Sequence, residues 1–152
     1  CHGVLYGEKI NNLNESECLS SVLVNMSSVI FLLEELSKLK YVNSMVVSSI
    51  SGKKGSYDNL YASCKAGVDL AVKTISKQLD SSSRLNAIAP GIIGDTRMTM
   101  ERKDKRNLQN ILDNIPTRQF STSIEVAELI YYVLFKTNNM NGSIIDINGG
   151  HY

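Results

Sequence analysis

The stretch Leu60-Tyr61-Ala62-Ser63-Cys64-Lys65-Ala66-Gly67-Val68-Asp69-Leu70-Ala71-Val72-Lys73-Thr74-Ile75-Ser76-Lys77-Gln78-Leu79 carries the reading of the fold. At about 100° per residue, Tyr61, Lys65, Val68, Val72, Ile75 and Leu79 point within roughly 40° of one direction, so the segment predicts a helix with that face buried. A lysine on an apolar stripe carries a desolvation cost, and a tyrosine one turn before it is an unusual companion. The pair has a chemical use. A unit positive charge about 4 Å from a phenolate, at an effective dielectric of ~20, stabilises it by roughly 4 kcal/mol, or about 3 pKa units. Tyr61 is therefore expected to be drawn down towards neutrality, with desolvation of the phenolate opposing part of the shift.

Outward from this helix, strands and helices alternate. Upstream, Ser44 to Ser49 reads as a short strand around Met45-Val46-Val47, without polar alternation, as in a strand covered on both faces. A polar stretch from Gly52 to Asn59 joins it to the helix. Before it, a long helix should run from Asn14 to about Leu39, opened by Asn14 and Glu17 at capping-box spacing. Its positions Leu19, Leu23, Met26, Ile30 and Leu33 form the stripe of a buried helix face. Downstream, Arg84 to Ala89 is a strand closed by Pro90-Gly91, and the charged segment Glu101 to Asn114 reads as a partly exposed helix. A last helix spans Ser123 to Phe135, with Thr122 and Glu125 in capping-box register, and Ser143 to Ile147 forms a final strand. This alternation predicts an α/β fold, a parallel sheet with helical crossovers on both faces.

Composition narrows the partners. The 152 residues are 43% hydrophobic and 20% charged, enough for one core in an ordinary globular range. With 16 basic and 15 acidic side chains the net charge is +1, so no global field favours nucleic acid or an anionic membrane, and a small-molecule partner is expected. The three cysteines, Cys1, Cys18 and Cys64, lack metal-ligand spacing and form an odd set, which predicts a reducing, cytoplasmic setting and no metal site. Contiguous apolar runs are short and no basic-then-apolar leader opens the chain, so neither a membrane span nor a signal peptide is expected. The first residue is Cys rather than Met, which is read as an absent upstream part.

Tyr61-Ala62-Ser63-Cys64-Lys65 resembles the Tyr-x-x-x-Lys motif of the short-chain dehydrogenases/reductases, and flanking segments resemble that family in order. Val46-Val47-Ser48-Ser49-Ile50-Ser51-Gly52 resembles the segment that supplies the catalytic serine, here Ser49. Ser48 and Ser51 are its alternatives, because the spacing to Tyr61 is one residue shorter than the family pattern. Val24-Asn25-Met26 resembles the motif of the active-site asparagine. Cys1-His2-Gly3 stands where the family has Asn-Ala-Gly, Asn86 to Gly91 resembles the segment bordering the nicotinamide, and Asp146 to Gly150 resembles the closing strand.

The resemblance implies that residues 1–152 are the C-terminal, catalytic portion of a Rossmann-like doubly wound domain, without the glycine-rich dinucleotide-binding half. It implies an NAD- or NADP-dependent oxidoreductase of the compact branch, similar to 3-oxoacyl carrier-protein reductases, moving hydride between nicotinamide and a carbonyl or alcohol. The fragment alone is expected to be inactive. Tyr61 would be the acid/base and Ser49 a hydrogen-bond donor to the same substrate oxygen. Lys65 would tune Tyr61 and hold the ribose, and Asn25 would distort its helix and hold a water leading to Lys65. Gly3, Pro90, Gly91, Ile93 and Thr96 would border the cofactor, Ile93 and Thr96 through the carboxamide or phosphates. One residue more than in the family lies between Pro90 and Thr96, so the contacts of Ile92, Ile93 and Thr96 stay open. A homodimer or homotetramer packed through the long helices is also implied. The competing readings are an extended-branch nucleotide-sugar epimerase or dehydratase, and a catalytically silent nucleotide-binding sensor.

Overall fold

A computed structural model describes residues 3–7, 12–101 and 105–152. Cys1, His2 and the segment 102–104 of the charged stretch lie outside the described residues. Three parallel strands, β1 (Asn43–Val47), β2 (Arg84–Pro90) and β3 (Ile144–Ile147), lie in the order β1-β2-β3. Val46 pairs with Ala87, and Ile88 pairs with Ile145. From Leu85 onward β2 is buried throughout, whereas β1 is only partly buried. β1 is the outermost strand among the described residues, with Val46 packed on the core on one face and α7 in contact with it on the other.

The helices take up the two faces. Helix α4 (Asn59–Ile75) and helix α2 (Ser28–Ser37) cover one face, where Leu33, Val72, Ile75, Leu85 and Ala87 form the core. Each of the Leu, Val and Ile side chains contributes roughly 1.5–3 kcal/mol on full burial. Alternation along β2 turns Arg84 to the opposite face. There its guanidinium and the Asn43 amide both reach Leu134 O of helix α7 (Ser123–Lys136), at 3.5 and 3.3 Å. The Asn86 side chain accepts from Ser143 N at 3.0 Å and donates to Met140 O at 2.8 Å, which pins the turn into β3.

Both capping boxes form as their spacing predicts, Asn14 with Glu17 and Thr122 with Glu125. The first long helix is interrupted: α1 (Glu15–Val22) and α2 are joined by a π-helical turn over Leu23–Ser27. The expected buried stripe on this helix is corrected. Leu19 and Leu23 are 64% and 60% exposed, while Ser21, Asn25 and Leu33 face inward. Inward positions near the N-terminal end must pack against the backbone of α4 and the loop 3–7, where small and polar side chains fit and hydrogen-bond. Of the predicted stripe, Leu19 and Leu23 are left on the outer face, Met26 and Ile30 are partly buried, and Leu33 reaches the core.

By length and composition, Glu15–Ser37 is also apolar enough to cross a membrane, which the short contiguous runs did not reveal. Its packing on α4, Leu33 with Val72 and Ile75 and Met26 against Gly67, makes it a helix of this fold. Helix α4 ends at Ile75, before the expected Leu79. Two short helices were not anticipated, α3 (Ser51–Lys54) and α5 (Arg97–Met100), and the charged segment is helical as α6 over Lys105–Asn114.

Helix α3 lies directly on α4. A Cβ added at Gly52 would sit 2.8 Å from Ala66 N and 2.9 Å from Lys65 C. Both atoms are helix backbone and cannot rotate away. Gly52→Ala is expected to cost about 1–3 kcal/mol in urea unfolding, the usual penalty of overpacking, and to lower turnover of the intact enzyme by displacing Ser49. Unchanged unfolding would mean that α3 and α4 do not approach this closely.

Candidate active site

The site forms where β1 and β2 end and α4 begins. Asp58, buried at the N-cap of α4, accepts from Tyr61 N through Oδ1 at 2.9 Å and from Gly7 N through Oδ2 at 3.4 Å. One carboxylate thus satisfies a helix-end donor and ties the loop 3–7 to the helix that carries Tyr61 and Lys65. The sequence reading began this helix at Leu60 and passed over Asp58. Its signal was an Asp just ahead of the apolar period, the ordinary start of a helix.

Lys65 is buried and Tyr61 half-buried. The Lys65 ammonium lies 5.6 Å from the centre of the Tyr61 ring and donates to Val47 O at 3.2 Å. Ser49 is the serine brought to Tyr61, and its hydroxyl lowers the phenol's proton affinity. Ser49 Oγ also accepts from Ser51 N at 3.1 Å, so the start of α3 holds it in place. Ser48 faces elsewhere: its hydroxyl donates to Lys65 O at 3.5 Å, on the side of α4 where it lowers the proton affinity of Asp69.

The expected drop in the Tyr61 proton affinity does not occur in the unliganded chain. Desolvation pushes the phenol above its ordinary value, Ser49 offsets part of this, and the Asp58 charge adds to the rise. Lys65 moves the opposite way. Burial pulls it below the usual lysine range, against the raising effects of Asp69 and Cys64. The coulombic argument placed a full charge at about 4 Å. Here the ammonium is directed at the Val47 carbonyl, and the phenolate's desolvation outweighs its attraction.

Asn25 is completely buried in the π turn. Its side chain clamps Val4 from both sides, accepting from Val4 N at 2.9 Å and donating to Val4 O at 2.8 Å, with a further bond to Ser21 Oγ at 3.1 Å. A Cβ added at Gly3 would meet Asn25 Oδ1 and Met98 Cε, each at 3.6 Å, so α5 folds back over the Gly3 loop.

The other wall is the β2 exit. Pro90 O accepts from Ile50 N at 2.9 Å, and Gly91 N donates to Ile147 O at 2.9 Å. Ile93 bridges Ser121, and its carbonyl accepts the Thr96 and Thr99 hydroxyls at 3.0 and 2.7 Å. The Thr96 hydroxyl hydrogen is thus used within its own turn, and a ligand would meet its oxygen as an acceptor.

Two contacts strap α3 to the end of the chain. Lys53 pairs with Asp146 of β3, and Lys54 Nζ lies 2.6 Å from His151 Nε2. Desolvation, with the nearby Lys54 charge, lowers the His151 proton affinity, so the neutral ring accepts from the ammonium.

A family model described as enoyl-(acyl carrier protein) reductase matches residues 2–151. The chain is 33% identical over 107 residues to nodulation protein G of Azospirillum brasilense, covering 68% of this chain and 43% of that protein. It is 30% identical over 118 residues to the 3-oxoacyl-acyl-carrier-protein reductase MabA of Mycobacterium tuberculosis, covering 76% of this chain and 47% of that one. A solved 3-oxoacyl-acyl-carrier-protein reductase from Brucella melitensis shares the fold with a TM-score of 0.87 at 22% identity, covering 100% of this chain and 61% of its own. A short-chain dehydrogenase/reductase of the same organism does so with a TM-score of 0.83 at 19% identity, covering 99% and 61%. The chain spans about half the length of the curated relatives it matches.

Proposed function

The chain belongs to the short-chain dehydrogenase/reductase family, and we propose that it is the C-terminal, catalytic portion of an NAD- or NADP-dependent oxidoreductase acting on a carbonyl or alcohol group. The observation that carries this reading is the convergence of Ser49, Tyr61 and Lys65 from the β1 exit and α4. In this reading residues 1–152 form part of a single Rossmann-type domain, and the pyrophosphate end of the cofactor is held by residues outside this chain.

When bound, a nicotinamide cofactor supplies or accepts the hydride. The proton steps fall to the chain. Tyr61 gives its proton to the substrate oxygen in reduction, or takes it in oxidation. Its raised proton affinity keeps it a neutral acid near pH 7, which suits the reducing direction. Ser49 donates to the same oxygen as charge develops on it. The residues present suit a ribose: the Lys65 ammonium spends one donor on Val47 O among the described residues, and its remaining donors can take hydroxyl groups. Gly3, Pro90, Gly91, Ile93 and Thr96 line the nicotinamide end. Asn25 positions the loop 3–7, and a water leading to Lys65 would rest on backbone groups that the π turn loosens.

The outer face of α1 and α2, with Leu19, Leu23, Phe31 and Leu32 exposed, is the surface proposed to meet a second copy. A cytoplasmic setting is part of this reading.

The test uses the intact protein. Titration with NADH and NADPH, followed by nicotinamide fluorescence, should show binding of one or both, and carbonyl substrates including 3-oxoacyl thioesters should be reduced. Binding without turnover across a broad carbonyl panel would favour a silent sensor and defeat the proposal.

A further inference from the structure

Helix α3 is four residues long, too short to hold its own place, so its position is set by what it touches. It begins two residues after Ser49 and spends two backbone donors on that residue. Ser51 N reaches Ser49 Oγ at 3.1 Å, and Gly52 N reaches Ser49 O at 3.0 Å. A shift of α3 therefore moves the Ser49 hydroxyl. Gly52 seats α3 on the backbone of α4, and Lys53 pairs with Asp146 of β3. The end of α3 is held by Lys54, whose ammonium lies 2.6 Å from His151 Nε2, 97 residues further on.

His151 arrives at Lys54 by a tight turn. Asn148, buried just after β3, closes that turn with its own side chain: Oδ1 accepts from Gly150 N at 2.9 Å, and Nδ2 donates to His151 O at 3.4 Å. His151 N returns to Asn148 O at 3.1 Å. Gly149 and Gly150 both have left-handed backbone, at φ 63° and 84°, which a side chain at either position would strain. Space is short as well. A Cβ at Gly149 would lie 2.7 Å from Ile115 Cγ2, and one at Gly150 would lie 3.0 Å from Pro116 Cγ. On the other side, a Cβ at Gly91 would lie 3.2 Å from Asn148 Cα. The turn is thus wedged between the segment that follows α6 and the β2 exit, and from there it presents His151 to α3.

We propose that His151 is a positioning residue for Ser49: carried by the turn over 148–151, it holds the Lys54 end of α3 and so fixes where the Ser49 hydroxyl stands relative to Tyr61. The proposal rests on the reading of Ser49 as the donor to the substrate oxygen. His151 touches neither substrate nor cofactor in this reading and acts through Lys54. Lys54 is exposed and His151 partly so, and a pair at the surface adds little to stability. Its removal should show in turnover and not in melting.

In the intact enzyme, His151→Leu should lower kcat for carbonyl reduction by about three- to tenfold, part of the ~10²-fold that misplacing a reacting group by about 1 Å can cost. Cofactor affinity, read by nicotinamide fluorescence, and the melting temperature should stay at wild-type values. His151→Gln offers Lys54 an oxygen acceptor in the same place and should restore most of kcat. Lys54→Met should match His151→Leu, and the double variant should be no slower than either, since all three lack the same contact. Wild-type kcat in His151→Leu would overturn the proposal, and so would losses that multiply in the double variant. A Gln variant as slow as the Leu variant, or a Leu variant that melts lower or fails to fold, also overturns it, because His151 then serves packing alone. Should Ser49→Ala turn over normally, the reading of Ser49 itself is wrong. A normal His151→Leu beside a dead Ser49→Ala sinks the His151 proposal alone.

Discussion

Tyr61→Phe in the intact enzyme is expected to lower kcat by roughly 10²–10⁴-fold, the range of a lost general acid, while the affinity for nicotinamide cofactor stays nearly unchanged. The ring of Tyr61 is half-buried against α4, and phenylalanine retains that packing. What disappears is the hydroxyl that meets Ser49. The two quantities separate chemistry from binding, because a group used only in the transition state changes kcat and leaves ground-state affinity in place. Retained turnover would remove Tyr61 from the proton path, and a large loss of cofactor affinity would make its role one of binding.

Lys65→Met is expected to divide activity from stability. Turnover should fall by a similar factor of about 10²–10⁴, since the cation beside Tyr61 is lost. Thermal stability at neutral pH should rise, because burial holds the proton affinity of Lys65 below its ordinary 10.5 and the ammonium is carried inside at a cost. The sign follows from linkage. A lysine with a depressed folded pKa opposes folding while protonated, and the penalty fades as pH rises from the folded value to the unfolded one. Wild-type stability should therefore gain from Lys65 across that alkaline window, and the Met variant should lack this gain. A Met variant that melts lower than wild type throughout would show that Lys65 pairs well enough to stabilise the fold.

Which parts of this site could be read without coordinates depends on how far apart their causes lie. Tyr61 and Lys65 were legible because both lie on one helix, where spacing fixes direction. The capping boxes at Asn14 and Thr122 were legible for the same reason: the groups that satisfy one another lie within a single turn. The stripe from Leu19 to Leu33 misled in its first half, because the π turn over Leu23–Ser27 shifts the register between α1 and α2, and only Leu33 beyond it reaches the core.

The choice among Ser48, Ser49 and Ser51 shows the same division. Spacing left all three open, and they part only when α3 turns on Gly52 and lays Ser49 beside Tyr61 while Ser48 turns towards Asp69. By itself the sequence determined the α/β alternation, the helical register of Tyr61 with Lys65, and the ordered segments that mark the family. The tertiary structure alone decided which serine meets the tyrosine, which helix face is buried, and that desolvation raises the Tyr61 proton affinity instead of lowering it. The first group depends on local dihedral periodicity, which a chain carries along its length. The second depends on distances and dielectric surroundings, which exist only once separate segments have packed.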